Sequence, residues 1–467
     1  RDAGPAASAA APARAASSAA VLPFEDRSAS ADQQFLGDGI GEEVTATLAR
    51  VEGLRVAARS AAFALRGHAD DVREVGRRLG VTAVVEGSVQ RDGERLRVTA
   101  SLVNVADGFQ LWSARFDRAA GDVFALQEEI ARAVAQALRV RLVEGARRAA
   151  PDARAYELYL QGRYAWYRRT EEGLRTAARY FEQAAALAPG YPQAHAGLAD
   201  AYAVLGFYDY LPPADAFPRA EAAARRAIAL DSSLAAPHAT LGYAALYHRW
   251  DVAAGEAAFR RAVALDPDNS TAHQWYGNLL TAAGRFDEAE RELRHAVALD
   301  PLSLIARSAL GWSLVHAGAY AAALAECRRA LELDPRYAVA LLWGGWALEG
   351  LDSLPAAVAW QRRAVAASDS GALYVAELAR ALARAGGRAE AAGLPARLPA
   401  RADSGRYLPA YEIAKALDAL GERAAAFRWL ERAYRERSHS LVFLRVDPQL
   451  AGPRRDPRFA ALAARGA

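Results

Sequence analysis

The N-terminal part of the chain alternates short apolar runs with segments whose apolar residues recur at helical spacing. The run AAVLPF at 19–24 is apolar and ends at a proline followed by charges, which is typical of a short buried strand. In the next segment, 37–51, apolar residues recur every fourth position from Ile40 to Leu48, and this spacing predicts a helix. Asp38 stands near its start as the expected capping residue.

The same alternation continues to residue 145. The run LRVAAR at 54–59 predicts a strand, and a short helix at 70–80 ends at Gly80, where a left-handed cap is expected. The segment 123–142 is amphipathic and predicts a long helix that covers a sheet.

Two hairpin dipeptides lie between these helices. Asp92-Gly93 and Asp107-Gly108 are of the type that joins antiparallel strands, so the sequence around them predicts three strands in a row. Apolar and polar residues alternate along the middle strand, so one of its faces can be buried. Residues 19–145 are therefore predicted to form an α/β domain with a mixed sheet and helices.

From residue 151 onward the strand pattern ends, and small residues and prolines recur every 34 positions. The clearest series are Gly277, Gly311 and Gly345; Ala262, Ala296, Ala330 and Ala364; and Pro267, Pro301 and Pro335. A 34-residue period with small residues where two helices touch is the pattern of the tetratricopeptide repeat. Each proline follows an aspartate and ends the second helix of its unit, because the residue before proline avoids the α region.

Weaker copies flank these clear repeats and extend the array to about eight helix pairs over residues 151–437. One copy carries a long insert, FYDYLPPADAFP, at 207–218. We expect residues 438–467 to cap the last pair, and residues 1–18, rich in alanine, proline and serine, to form a flexible linker. The predicted fold is thus an α/β N-terminal domain followed by an all-α superhelix, an α-solenoid.

Composition excludes several classes of protein. Hydrophobic residues make up 53% and charged residues 24% of the chain, which is a globular composition, and no apolar stretch is long enough for a membrane-spanning helix. Cys327 is the only cysteine, so it can form no internal disulfide, and we expect it to be a buried core residue. Lys415 is the only lysine and lies in no phosphate-binding or Schiff-base motif.

The net charge and the first residue of the chain add little to the prediction of function. The net charge of +3 is spread along the chain and predicts no direct nucleic-acid contact. The chain contains no methionine, even at position 1, and we expect it to be a fragment or a trimmed product.

Neither a cofactor nor a metal is predicted. The glycine run from Gly37 to Gly41 follows a strand, but a dinucleotide fingerprint needs a glycine at the position of Glu42, so we interpret the run as the start of a helix. The eight histidines form no paired metal-binding motif. His238 and His273 lie in neighbouring repeats and can approach each other, but we expect both at the surface. No catalytic motif occurs either, and the chain itself is not expected to be an enzyme.

The order of these parts resembles a known bacterial architecture. The segment from AVLPFEDR to VFALQEEIARAV resembles the domain similar to the amino-terminal domain of TolB, which precedes tetratricopeptide arrays. Asp447-Pro448 and Asp456-Pro457 resemble the ends of those proteins, so the resemblance covers residues 19–467. In that family the two domains form the C-terminal part of regulators, behind a serine/threonine kinase, an adenylate cyclase or a winged-helix DNA-binding domain. The resemblance leaves open which effector or membrane anchor lies upstream.

In resembling repeat proteins the first helix of each unit lines a concave groove, and a fixed set of its positions contacts the ligand. Carried over to this sequence, those positions are Tyr159, Arg163, Trp166, Tyr167, Tyr243, Tyr247, Gln274, Asn278, Trp312, His316, Leu342 and Trp346. Aromatic anchors with a few polar donors suit an extended or helical peptide. The lysines that clamp a C-terminal carboxylate in chaperone-binding relatives are absent, so such a ligand is not predicted.

These patterns favour a non-catalytic protein- or peptide-binding scaffold, or a sensory region, in a bacterial signalling regulator. Occupancy of the groove would then be transmitted to an upstream effector through the α/β domain and the linker. One alternative is the C-terminal part of a signalling enzyme or transcription regulator whose effector lies upstream of residue 1. Another is an enzyme or nucleotide-binding protein that works through the α/β domain. The ligand, the oligomeric state and the cellular compartment stay open.

Overall fold

The computed structural model describes most of the chain. The described residues are 18–30, 32–49, 51, 53–59, 62, 71–138, 152–168, 170–368, 371–394 and 408–466. The chain divides into two compact units, residues 1–149 and 150–467. Apart from Ser18, the predicted linker lies outside the described residues, and so does the end of the helix predicted over 123–142. Within the described residues, no helix is both long enough and apolar enough to cross a bilayer.

The N-terminal unit is built on a mixed six-stranded sheet. Its strands are β1 Ser18–Val21, β2 Glu25–Asp26, β3 Arg55–Val56, β4 Ala83–Asp92, β5 Arg95–Asn104 and β6 Gln110–Ala119. The order is β3-β1-β4-β5-β6, with β2 beside β4. β1 pairs in parallel with β3 and β4, whereas β4, β5 and β6 form an antiparallel meander. Its two turns are the predicted ones, and Gly93 and Gly108 adopt the positive φ that such turns require.

Among the described residues, three helices accompany the sheet: α1 Gln34–Leu48, α2 Val72–Leu79 and α3 Val123–Ala137. α1 and α3 pack against each other, and α3 also packs against β5 and β6. Val98 and Leu102 of β5 are fully buried, which confirms the one-sided burial predicted from the alternation. α2 ends at Gly80, whose φ of 65° confirms the predicted left-handed cap.

Two local predictions in this unit were wrong. α1 begins at Gln34, so Asp38 lies inside the helix rather than at its cap. The Asp38 side chain is buried and accepts a hydrogen bond from Gln34 Nε2 at 2.8 Å. The glycine run allows close packing, because a Cβ at Gly37 would lie 2.2 Å from the backbone oxygen of Phe24. The strand predicted over 54–59 is reduced to the two residues of β3.

The second unit is all-α. Among its described residues, sixteen helices follow one another as eight pairs. The pairs are α4 Ala153–Tyr167 and α5 Glu171–Leu187; α6 Pro192–Phe207 and α7 Pro213–Leu230; α8 Ala235–Ala244 and α9 Val252–Leu265; α10 Ser270–Ala282 and α11 Phe286–Leu299; α12 Leu304–His316 and α13 Tyr320–Leu333; α14 Ala338–Gly350 and α15 Leu354–Ala367; α16 Ala372–Arg384 and α17 Arg388–Gly393; and α18 Ala410–Ala419 and α19 Arg423–Arg435. A π-helical turn, Ala245–Arg249, extends α8. Half of the predicted insert is helical, because α7 begins at Pro213.

The recurring small residues lie where paired helices touch. A Cβ at Gly277 of α10 would lie 2.5 Å from Leu293 Cγ of α11, and one at Gly311 of α12 would lie 2.8 Å from Cys327 Sγ of α13. Each glycine therefore lets two helices approach more closely than a larger residue would allow. Cys327 is buried as predicted, and burial raises the pKa of its thiol to about 12.

The C-terminal residues do more than cap the array. The last helix, α20 Pro457–Gly466, contacts α19, and Tyr434 Oη donates a hydrogen bond to the Arg465 carbonyl at 3.3 Å. Residues 438–450, which we call the C-terminal segment, instead contact the first helices of other pairs through the short turns His439–Phe443 and Pro448–Leu450.

Candidate functional site

One cavity of about 90 Å³ lies between the first helices of the pairs and the C-terminal segment. Half of the predicted groove residues line it: Tyr247, Asn278, Trp312, His316, Leu342 and Trp346. On α12, Trp312 and His316 are four positions apart, and on α14 so are Leu342 and Trp346. The two residues of each helix therefore lie on the same helix face. The 34-residue period repeats that face from one pair to the next.

Aromatic rings in tilted and edge-on contact line this cavity, and further rings that do not line it contact them. On α12 the ring centroids of Trp312 and His316 lie 4.5 Å apart. Tyr247, from the turn after α8, lies 4.4 Å from Tyr243, which in turn lies 4.3 Å from Trp275 of α10. Burial lowers the pKa of His316, so its imidazole is neutral at pH 7 and belongs to the apolar wall.

The C-terminal segment places its own aromatic residue in this wall. The ring centroid of Phe443 lies 4.7 Å from that of Trp312, in an edge-on arrangement, and 5.8 Å from that of His316. His439 lies 4.8 Å from Phe207 at the end of α6. A polypeptide segment of the chain therefore already lies on the face where the sequence predicts a peptide.

A buried lysine holds this segment in place. Lys415 of α18 is 2% exposed, and its Nζ lies 2.8 Å from Glu377 Oε1 of α16 and 2.8 Å from Gln449 Oε1 of the C-terminal segment. Asp447 Oδ2 lies 3.6 Å from the same ammonium. The Trp346 ring centroid is 4.3 Å away, which is a cation–π contact.

The carboxylates around Lys415 stay ionised. Burial alone would raise the pKa values of Glu377 and Asp447, but the Lys415 ammonium together with the other neighbouring charges and hydrogen-bond donors outweighs burial and holds both below their usual ranges. Asp447 also accepts a hydrogen bond from Tyr411 Oη at 2.9 Å.

We call the group of Lys415, Glu377 and Asp447 the inner end of the cavity. A second cation, Arg380, helps to compensate its negative charge. Arg380 Nε donates to Glu377 at 2.9 Å, and its two terminal nitrogens donate to both oxygens of Glu349 at 2.7 Å. Trp346 Nε1 donates to Glu377 at 2.9 Å. Fork-shaped pairs of this kind are among the strongest charge-assisted contacts.

Two acidic residues of the cavity lining, Asp209 and Glu412, form what we call its acidic end. Ser440 Oγ donates to Glu412 Oε1 at 2.7 Å, and His439 Nδ1 lies 3.4 Å from Asp209 Oδ1. Burial raises the pKa of Glu412. Burial alone would lower the pKa of His439, but the carboxylates of Asp209 and Glu412 together outweigh burial and raise that pKa.

The other predicted groove residues do not line the cavity. They are Tyr159, Arg163, Trp166 and Tyr167 on α4, and Tyr243 and Gln274 on α8 and α10. The Arg163 guanidinium lies 4.9 Å from the Tyr167 ring centroid and 5.4 Å from that of Trp166, so these side chains bind one another. All twelve candidates except Arg163 and Tyr167 are buried.

Sequence reasoning missed the remaining cavity residues, most of which come from three segments. These segments are the insert (Phe207, Tyr208 and Asp209), α18 (Tyr411, Glu412 and Lys415) and the C-terminal segment (His439, Ser440, Phe443 and Asp447). Two signals were available: the aromatic FYDY of the insert, and the fact that Lys415 is the chain's only lysine. Their meeting in space was not predictable, because no period links the three segments.

The histidine prediction also needs correction. His273 is buried, and its Nδ1 lies 2.6 Å from Glu292 Oε2, with His295 rather than His238 as its neighbouring ring. Among the described residues, no group of three or more histidine, cysteine, aspartate or glutamate side chains is placed to hold a metal ion.

Comparison with known families identifies some of the helix pairs that line the cavity. The tetratricopeptide repeat pattern matches residues 276–338 and 309–372, and a second pattern of the same name matches residues 258–291. These helix pairs are tetratricopeptide repeats. The helices that contribute Asn278, Trp312 and Trp346 to the cavity all fall within the matched range.

A curated relative matches half of the chain. It is a protein of Rhizobium meliloti (strain 1021) named "Putative adenylate cyclase 3", 35% identical over 242 residues, which are 50% of this chain and 40% of that protein. The chain therefore spans less than half the length of the relative that it matches.

Several solved structures are similar to part of the chain. A thermophilic TPR protein of Thermus thermophilus is 22% identical with a TM-score of 0.36, covering 42% of this chain and 99% of that one. Pseudomonas aeruginosa pilF is 22% identical with a TM-score of 0.34, covering 43% and 90%. The human IFIT1 dimer with m7Gppp-AAAA is 15% identical with a TM-score of 0.46, covering 68% and 81%.

Proposed function

We propose that the tetratricopeptide array is the non-catalytic, polypeptide-binding part of a bacterial signalling regulator, and that residues 19–145 form its TolB-like domain. The binding surface is the concave face that carries Tyr247, Trp312 and Trp346. Tetratricopeptide repeats suit this role, because stacked helix pairs present an extended concave surface.

The observation that carries this proposal is the position of the C-terminal segment. Phe443 is 7% exposed and inserts its ring beside Trp312 and His316, as an aromatic anchor of a bound peptide would do. The concave face is thus chemically suited to a short polypeptide with an aromatic anchor. A partner peptide would compete with the C-terminal segment for this place.

The test is selection of random 12-residue peptides by the full chain, with and without Phe443→Ala. Removal of the phenyl ring vacates the anchor position, so this variant is expected to enrich aromatic-containing peptides at least about tenfold over the wild type. Adding Trp312→Ala to Phe443→Ala removes the opposing indole and is expected to abolish the enrichment.

Phe459→Ala is the matched control, because Phe459 is also 7% exposed but lies in α20, outside the cavity lining. If Phe443→Ala and Phe459→Ala select peptides equally, or if neither selects any, the concave face is not the binding surface.

A second candidate is that the chain forms the C-terminal part of a signalling enzyme. It is favoured by the 35% identity to a relative whose name includes adenylate cyclase, and by the resemblance to regulators with an upstream effector. The sequence encoded upstream of Arg1 decides this point, since it shows whether a cyclase, a kinase or a winged-helix domain precedes the array.

A further inference from the structure

Polypeptide binding by the aromatic wall gives no role to the charged residues of the cavity beside the C-terminal segment. The charged groups of its inner end and of its acidic end differ in how they are compensated. At the inner end, Lys415 is matched by Glu377 and Asp447. At the other end, Asp209 is paired with the imidazole of His439, and among the described residues neither Glu412 nor Asp209 forms an ion pair with a lysine or arginine.

Glu412 is the unusual residue of this acidic end. It is 4% exposed, and its Oε1 accepts from Ser440, but its Oε2 has no hydrogen-bond partner among the described residues. A buried carboxylate oxygen without a donor is costly, so such a group either takes up a proton or meets a cation. The raised pKa of Glu412 shows that burial disfavours its charged form.

The surrounding rings are suited to a cation. Faces of tryptophan and tyrosine attract ammonium and guanidinium groups. The chain itself provides an example, because the Lys415 ammonium lies 4.3 Å from the Trp346 ring centroid and 5.4 Å from that of Tyr411. Trp312 and Tyr374 line the same cavity and can contact the apolar part of a second cation.

We propose that this cavity binds a small organic cation with N–H donors, an alkylammonium or alkylguanidinium ion, whose charged group contacts Glu412 and Asp209 and whose alkyl part lies against the aromatic wall. The volume of about 90 Å³ restricts the ligand to a few heavy atoms. A free small molecule fits better than a peptide side chain, because it can enter while residues 438–450 stay in place.

The probes are n-propylammonium and ethylguanidinium, with n-propanol as the neutral control and propionate as the anionic one. Binding to the full chain at pH 7.5 is measured by calorimetry and by quenching of tryptophan fluorescence, since Trp312, Trp343 and Trp346 line the cavity. Both cations are expected to bind at least about tenfold more tightly than n-propanol, and propionate is expected not to bind.

Two variants from different parts of the fold test the assignment. Glu412→Gln keeps the shape and an acceptor for Ser440 but removes the charge, and Asp209→Asn does the same in the turn after α6. Each is expected to weaken cation binding at least about tenfold. Glu390→Gln is the matched control, because Glu390 pairs with Arg362 at the surface and is absent from the cavity lining; its cation affinity is expected to be unchanged.

The pH dependence has a defined sign. The charged and polar groups facing Glu412 are Lys415 of its own helix, His439 and Ser440 of the C-terminal segment, and Asp209. As the pH rises from 5 to 8, Glu412 loses a proton and gains charge while His439 loses charge, so cation affinity is expected to increase.

Several results would overturn the proposal: cations that bind no better than n-propanol, binding that survives both Glu412→Gln and Asp209→Asn, or an affinity that falls as the pH rises. None of them bears on peptide selection by Phe443→Ala, so this site and the proposed polypeptide surface stand or fall separately.

Discussion

At the residue scale, Lys415 shows how one side chain can join distant parts of the chain. It is the only lysine in 467 residues, and it is buried between α16, α18 and the C-terminal segment. Its charge is tolerated because Glu377 and Asp447 surround it, and their charges are tolerated because of Lys415. Removal of either the lysine or one of the carboxylates lowers the stability of the fold, because it leaves the remaining partner charged and unpaired.

We predict that Lys415→Met lowers the free energy of unfolding by about 3–5 kcal/mol, because it leaves the carboxylates of Glu377 and Asp447 without their main counter-ion. Urea unfolding followed by circular dichroism measures the loss. Combining Lys415→Met with Glu377→Gln is expected to restore part of it, because one uncompensated charge is removed.

Arg362→Met is the control for this prediction. It deletes an ion pair with Glu390 in which both side chains are about half exposed, so its cost is expected to be below about 1 kcal/mol. A Lys415→Met loss no larger than the Arg362→Met loss would show that the buried network does not stabilise the fold.

At the element scale, the helix pairs depend on small residues at their contact points. Gly277 of α10 faces Leu293 of α11, and Gly311 of α12 faces Cys327 of α13, at the same position of successive repeats. The 34-residue period therefore records a geometric requirement that every pair shares. Side chains that vary between pairs, such as Trp312, project from the helix faces that do not need a small residue.

We predict that Gly277→Val lowers the free energy of unfolding by about 1–3 kcal/mol, because the new side chain overlaps Leu293. Gly190→Val is the control, since no atom lies within 4 Å of a Cβ there, and its effect is expected to stay within about 0.5 kcal/mol. Urea unfolding of both variants gives the comparison. Equal effects would mean that close approach of α10 and α11 is not what the glycine provides.

At the scale of the repeat unit, the C-terminal segment links helix pairs that are far apart in the sequence. Repeat arrays are normally stabilised by contacts between neighbouring pairs only. Here His439 contacts Phe207 of the second pair and Phe443 contacts Trp312 of the fifth, while Trp250 after α8 stacks on Tyr434 of α19 at 5.5 Å. These contacts should make the array unfold as one body.

We predict that the wild-type array unfolds in a single urea transition and that Phe443→Ala splits it into two, because the long-range contacts fail before the neighbouring ones. Phe459→Ala removes a phenyl ring of similar burial from α20 and is expected to shift the midpoint while leaving one transition. Tryptophan fluorescence and far-ultraviolet circular dichroism, recorded together, distinguish the two cases. A single transition in Phe443→Ala would contradict the proposed coupling.

The parts of the fold that were predictable from sequence are those governed by local spacing. The hairpins at Gly93 and Gly108, the cap at Gly80 and the contacts at Gly277 and Gly311 were all visible as patterns within a few residues or one repeat. The candidates on α12 and α14 could be placed on one face for the same reason. Asp38 was misplaced because α1 begins four residues earlier, at Gln34, and Asp38 is buried inside the helix.

The amino-acid sequence by itself determined the periodic architecture, because turn dipeptides, small residues and helical spacing act on neighbouring positions. Only the tertiary structure decided which residues meet at the cavity, because the insert, α18 and the C-terminal segment are far apart in the sequence. Contacts such as Lys415 with Glu377, and Phe443 with Trp312, join residues that no local pattern relates.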